Sequence, residues 1–265
     1  MVSGTAALAA TFSRCREHDR AALVGYLPAG YPDGPGAERA CASLARHGAD
    51  IVEVGVPYTD PLMDGPVIQE AADAALSAGF RFADLFRCVE AVAAAGAVPV
   101  VMSYWNPILR YGVERFAADL AAAGGAGTIT PDLIPDEGGA WVDAATAHDI
   151  APIFLVAPSS TDERLRQTTD ACRGFVYAAS TMGVTGARAS VGTGAQRLVA
   201  RAREVTDLPV CVGLGVSTGA QAAEVAAFAD GVIVGSALVS ALGTDARGGA
   251  LERLTEELAE GVRRG

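Results

Sequence analysis

Aromatic residues make up only 6% of the 265 residues, and nothing gathers the basic residues into a stripe. Against 20 basic residues stand 31 acidic ones, giving a formal net charge of −11. That balance argues against nucleic acid or an anionic membrane surface as partner. It leaves room for a phosphate ligand, because backbone N–H groups at helix N-termini can hold one without basic side chains. No uninterrupted apolar run approaches the ~20 residues of a membrane span. The N-terminal segment lacks the positive and apolar regions of a secretory signal. The expectation is a soluble cytoplasmic protein. Cysteine is sparse: Cys15, Cys41, Cys88, Cys172 and Cys211 are odd in number and form no C-x-x-C, which fits reduced thiols rather than a disulfide framework. His18, His47 and His148 are too far apart in sequence to suggest a metal site.

What is present is apolar and repetitive. Hydrophobic residues reach 51%, ample for a core, and abundant alanine suits helices packed closely on a sheet. The length exceeds the usual ~100–150 residues of a domain, but α/β barrels run to ~250 as one unit. Thr5 to Asp19 has helical spacing and precedes a first strand at Ala22–Pro28. Strands are then expected at Ile51–Val56, Val98–Trp105, Gly127–Asp132, Ala151–Val156, Phe175–Ser180, Pro209–Gly215 and Gly231–Gly235. Helical patterns lie between them: Gly34–His47, Val67–Ser77, Phe82–Ala95, Asn106–Ala123, Glu137–His148, Asp162–Ala171, Gln196–Thr206 and Gly219–Phe228. Ala250–Arg263 closes as a helix. Eight strands alternating with helices, with no linker dividing them, predict a single-domain (β/α)8 barrel over 1–265 with an extra N-terminal helix. The Gly/Ser/Thr-rich stretch Met182–Gly194 is long for a strand–helix connection and is a candidate lid.

The stretch from Ile51 to Pro66 carries the sharpest chemical signal. It opens as a β-branched run, a strand buried on both faces. Alternation puts Ile51, Glu53 and Gly55 on one face and Val52, Val54 and Val56 on the other. A carboxylate there must be paired, or neutral with a raised pKa. The strand breaks at Pro57 into a loop with Asp60 and Asp64 between Pro57, Pro61 and Pro66. Two readings stay open from the residues alone. These carboxyls form an acid/base set, or Glu53 is satisfied by a polar neighbour and the aspartates serve turns.

Three glycine-bearing strand ends come late: Gly183–Gly186, Gly213–Ser217 and Gly235–Ser236. Barrels often seat a phosphate after strands seven and eight, where a backbone without Cβ approaches the anion closely. Gly213-Leu214-Gly215 also resembles part of a dinucleotide fingerprint, but its spacing is wrong and no acidic residue ends the next strand. Tyr26, Met102, Tyr104 and Tyr177 fall on different strands. They line an aromatic pocket or fill the barrel core.

The motif Glu53-x-Gly55-Val56-Pro57-Tyr58-Thr59-Asp60-Pro61-Leu62-x-Asp64-Gly65-Pro66-x-Ile68-Gln69 resembles the signature of the tryptophan synthase alpha chain family. The resemblance extends in order through Asn106-Pro107-Ile108-Leu109-x-Tyr111-Gly112, Pro131-Asp132-Leu133, Ser180-x-x-Gly183-Val184-Thr185-Gly186-Ala187-Arg188, Gly213-x-Gly215-Val216-Ser217 and Asp230-Gly231-x-Ile233-Val234-Gly235-Ser236-Ala237. It implies cleavage of indole-3-glycerol phosphate to indole and glyceraldehyde 3-phosphate, without metal or organic cofactor. It also implies a beta-chain partner in an alpha2-beta2 heterotetramer. By motif, Glu53 is the general acid/base, and Asp64 accepts a hydrogen bond from the ring N–H. Gly186, Gly215, Gly235 and Ser236 hold the phosphate. Tyr26, Met102, Tyr104 and Tyr177 frame the indole and glycerol chain, and Thr185 sits on the lid and approaches Asp64.

Three positions depart from the family's pattern: Met63, where a small residue is usual; Gly127–Pro131, a more polar strand than usual; and Ile134, where proline is common. Competing readings are a free-standing lyase that releases indole, a catalytically silent subunit that activates a partner, and a sugar-phosphate isomerase barrel. Retention of both Glu53 and Asp64 weighs against the silent subunit, and the strand-two motif against the isomerase.

Overall fold

The computed structural model describes residues 4–179, 193–213, 215–245 and 248–263. Helix α1 (Gly4–Glu17) precedes β1 (Ala22–Pro28), α2 (Gly34–Arg46), β2 (Ile51–Gly55), α3 (Pro66–Ser77) and α4 (Phe82–Ala94). Next come β3 (Val98–Met102), α5 (Trp105–Tyr111), α6 (Val113–Ala122), β4 (Gly127–Ile129) and α7 (Gly139–Ala147). Then follow β5 (Ala151–Ile153), β6 (Leu155–Val156), α8 (Asp162–Ala171), β7 (Val176–Ala179) and α9 (Thr193–Arg203). The chain ends through β8 (Val210–Gly213), α10 (Gly219–Ala226), β9 (Gly231–Val234), α11 (Ser236–Thr244) and α12 (Gly249–Gly261). Helix starts are set by short side chains that satisfy free N–H groups. Asp33 accepts from Gly36 N–H, Thr161 from Arg164 N–H and Thr218 from Gln221 N–H.

The strands are parallel and hydrogen-bond in the order β5-β4-β3-β2-β1-β9-β8-β7-β6. The two edges of that sheet are halves of one segment, so the chain itself closes the barrel. The expected fifth strand, Ala151–Val156, is therefore broken at Phe154. Its first half pairs with β4 and its second with β7. At the break, Phe154 N–H turns to the Cys172 sulfur at 3.3 Å, and Phe154 C=O accepts from Tyr177 N–H at 3.3 Å.

Two apolar layers result. Inside the barrel pack Val24, Ile51, Val100, Ile129, Ile153, Cys211 and Ile233, with Phe12 and Phe175 from the α1 end. Outside, Leu23, Val52, Val54, Val101, Val212 and Val232 meet the helices. At the barrel floor Arg20 makes a two-pronged ion pair with Asp50, both contacts 2.7 Å, and Asp50 also accepts from Leu23 N–H at 2.9 Å. This ties the entry of β1 to that of β2.

Other boundaries differ from the sequence expectation. The third strand stops at Met102, and the helix expected over Asn106–Ala123 divides into α5 and α6 at Gly112, whose φ of 102° only glycine adopts comfortably. Strand β4 ends at Ile129, short of Asp132. Helix α11 has no counterpart in the sequence expectation, because it is apolar and short, with no acidic residue in its first turn and no basic residue in its last. The polar residues of strand four are buried: the Thr128 and Thr130 hydroxyls have no hydrogen-bond partner among the described residues.

Candidate functional site

The mouth of the barrel is built from strand ends that the register fixes side by side. On β2, Ile51 belongs to the inner layer, so Glu53 and Gly55 point inward by alternation. Tyr26 on β1 is paired with Glu53, and Gly55 lies between Pro28 and Met102. A Cβ on Gly55 would run into the Tyr26 hydroxyl, and one on Gly213 into the Tyr177 hydroxyl. Each tyrosine ring thus extends over a glycine of the next strand. These are steric reasons for glycine at two inward-facing positions.

Glu53 is 1% exposed, and its Oε2 has no hydrogen-bond partner among the described residues. Burial, then the nearby Asp64 carboxyl, push its pKa up to about 8. A carboxyl in that condition is protonated near neutral pH and poised to exchange its proton. Asp64 is also raised, chiefly by burial, with the nearby Tyr104 hydroxyl opposing the rise. Tyr26 is buried and Tyr177 half-buried beside them, and the pKa of each is raised first by desolvation and then by the carboxyls.

The loop that carries Asp64 is held from the link between β3 and α5. Leu62 N–H and Met63 N–H both donate to the Tyr104 hydroxyl, at 3.1 and 3.0 Å. The Tyr58 ring lies 5.5 Å from the Tyr104 ring, and Asn106 donates to the Tyr58 hydroxyl at 3.1 Å. Gln69 on α3 donates to the Asp64 carbonyl at 2.7 Å. Tyr104 is the residue before α5, and the first N–H of that helix, on Trp105, is capped by Asp132 from the loop after β4 at 2.8 Å. Sequence reasoning did not find this cap or the Asn106–Tyr58 bond. The only signal for either was their place in the quoted motifs.

Across the mouth, Gly213 on β8 pairs with Ile233 on β9, so Gly215 and Gly235 stand at matching heights beyond the two strands. Gly215 has φ 63°, and Ser236 opens α11, whose first N–H groups have no partner within the helix. This geometry suits an anion. Of the residues expected from sequence, Glu53, Asp64, Tyr26, Tyr104 and Tyr177 lie near enough to act on one another electrostatically, and Met102 is the β3 partner of Gly55. Gly215, Gly235 and Ser236 follow β8 and β9, which lie between the strands of Tyr177 and Tyr26. Thr185, Gly186 and the Met182–Gly194 segment up to residue 192 lie outside the described residues. No group of three or more His, Cys, Asp or Glu among the described residues could hold a metal ion.

The family model described as tryptophan synthase alpha chain matches residues 12–263. A relative from Nocardia farcinica with that name is 62% identical over 256 residues, covering 97% of this chain and 96% of its own. One from Mycobacterium avium is 63% identical over 252 residues, covering 95% and 93%. A solved structure of Mycobacterium tuberculosis tryptophan synthase superposes with a TM-score of 0.93 at 59% identity, covering 97% of this chain and 98% of that one. The tryptophan synthase subunit alpha of Legionella pneumophila reaches 0.86 at 28% identity, with 97% and 98% covered.

Proposed function

This chain belongs to the tryptophan synthase alpha chain family, and from that premise we propose how its residues cleave indole-3-glycerol phosphate to indole and glyceraldehyde 3-phosphate. The enzyme is a carbon–carbon lyase, working as an alpha subunit beside a beta-chain partner. The observation that carries the mechanism is Glu53, a fully buried carboxyl with a free oxygen and a pKa near 8, facing Asp64.

Protonated Glu53 gives its proton to C3 of the indole ring. The ring becomes a cationic indolenine, and the Asp64 carboxylate accepts a hydrogen bond from its N–H and stabilises the charge. Glu53, now a carboxylate, takes the proton from the hydroxyl on the side-chain carbon next to the ring. That carbon becomes the aldehyde of glyceraldehyde 3-phosphate. The bond to C3 breaks, its electron pair restores the aromatic ring, and Glu53 ends protonated as it began. The sequence contains no lysine, so a side-chain Schiff base is not open to these residues, and acid/base work falls to the carboxyls.

Backbone N–H groups at Gly215, Gly235 and Ser236, with Gly186, hold the phosphate. Tyr26, Met102, Tyr104 and Tyr177 enclose the ring and glycerol chain. By the family motif, Thr185 is a further substrate-contacting residue. Residues 1–265 act as one catalytic unit in the cytoplasm, in an alpha2-beta2 assembly. Three large apolar side chains at the mouth support a docking face for the beta chain. Leu62 is 69% exposed, Leu109 54% and Ile134 42%, on the Asp64 loop, on α5 and after β4. The free-standing lyase is not favoured by relatives that carry the name tryptophan synthase alpha chain.

The test is direct. Purified protein is given indole-3-glycerol phosphate, with and without an added beta chain, and indole is quantified. Indole should form in both cases and faster with the partner; its absence in both overturns the mechanism.

A further inference from the structure

We propose that Gln221 is a positioning residue for the phosphate end of the substrate: its side-chain oxygen, accepting from both donors of Ser217, fixes the turn in which Gly215 meets the anion. The inference rests on the phosphate reading above and adds a residue that does not itself touch the phosphate. Ser217 is the last residue of the Gly213-x-Gly215-Val216-Ser217 motif. The Gln221 Oε1 atom accepts from Ser217 N–H at 2.8 Å and from the Ser217 hydroxyl at 3.0 Å. An amide oxygen has two lone pairs, and these two donors occupy both. Thr218, the N-cap of α10, in turn accepts from Gln221 N–H at 3.3 Å. In an ordinary capping box, the residue at the place of Gln221 reaches back to the N–H of the N-cap. Here its oxygen goes one residue further, to Ser217, and takes the hydroxyl as well. Capping the helix does not require that hydroxyl; holding the loop does.

The segment between β8 and α10 is therefore fixed at both ends and in the middle. Gly213 is paired in the sheet, Val216 is buried in the helix-side layer, and Ser217 is clasped by Gln221. Gly215 lies between the first two with φ 63°, so the direction of its N–H depends on the residues on either side. Gln221 is itself anchored. The Gly219 N–H at the start of α10 donates to Glu257 of α12 at 2.7 Å, and a Cβ on Gly219 would come within 2.6 Å of the Glu257 carbonyl oxygen. The two helices meet backbone to backbone there, so α10 starts from a fixed place. Both Ser217 donors are committed within the chain, and the loop meets the anion through the backbone at Gly215. The grip on phosphate thus depends on Gln221. The carboxyl chemistry of Glu53 and Asp64, on β2 and the loop beyond it, does not.

The experiment compares wild type with Gln221→Met, Ser217→Ala and the double variant, each with the beta chain present. Gln221→Met keeps the length of the side chain and its helix preference and removes the acceptor. It should raise KM for indole-3-glycerol phosphate about tenfold with kcat within about twofold, as lost hydrogen bonds that act on binding alone would. The Kd of inorganic phosphate, measured by calorimetry, should rise by a similar factor. That of indole, which carries no phosphate, should stay as in wild type. Ser217→Ala removes one of the two bonds and should show a smaller rise, and it should add nothing in the Gln221→Met background. An unmoved phosphate Kd, a loss shared equally by indole and phosphate, or losses that multiply in the double variant each overturn the inference. Should Gln221→Met not fold, Ser217→Ala decides by the same split between phosphate and indole. If wild type forms no indole while phosphate binding weakens in Gln221→Met, the lyase reading fails and the positioning role stands.

Discussion

Glu53 is costly to the fold, and that cost has a pH signature. Its folded pKa of about 8 lies above the ordinary value of 4.5. Ionisation is therefore easier unfolded, and the group withdraws stability as pH rises from about 4.5 to about 8. Glu53→Gln keeps the shape and removes the charge. The variant should melt higher than wild type at pH 9 and nearly level with it at pH 5. At ~1.4 kcal/mol per pKa unit the gap at pH 9 is on the order of 5 kcal/mol. The same variant should lose turnover by at least the ~10²–10⁴-fold of missing acid/base catalysis. A variant that melts higher at pH 9 yet turns over at the wild-type rate would mean that the proton of Glu53 is not used. In wild type, kcat/KM should fall on the alkaline side near pH 8, as Glu53 loses the proton it must give, and on the acid side as Asp64 is neutralised. Glu53 was legible in sequence because a carboxyl inside a β-branched run is rare. Its orphaned oxygen was not, since that depends on which side chains the other strands bring inward.

The elements were legible where period and punctuation agreed and blurred where they did not. β2 and β9 are bounded by glycine or proline and fall within a residue of expectation. The helix after β3 reads as one continuous pattern, and only the backbone at Gly112 turns it. Strand four is the element at odds with its surroundings. Thr128 alternates with the inner-layer Ile129, so it faces the helix layer, where its hydroxyl finds no partner among the described residues. Burying an unpaired hydroxyl costs ~1–3 kcal/mol. Thr128→Val and Thr130→Val should each raise the denaturation midpoint by an equivalent of ~1 kcal/mol or more, with activity unchanged. Loss of stability in both would place an ordered water or a relaxed partner at those hydroxyls.

At the scale of the whole molecule, the barrel and its catalytic end followed from counting strands. The proposed docking face did not. Leu62, Leu109 and Ile134 are far apart in sequence, and only the fold brings their loops to one end. Leu109→Asp, on α5 and away from the carboxyls, should leave indole release by the isolated chain unchanged. It should weaken beta-chain binding at least tenfold by calorimetry, as a desolvated charge at the centre of an interface would; unaltered binding would move the interface elsewhere. The sheet order has a last consequence, for synthesis. β1 is among the first strands to leave the ribosome, but one of its neighbours is β9, so Ala22–Gly25 waits for Gly231–Val234. Until then an apolar strand shows an open edge, the kind that recruits other chains. Joining the two is a contact of very long sequence separation, which makes it slow. A nascent chain halted before Gly231 should therefore be prone to aggregate, and one released after Val234 should be able to seal its own edge.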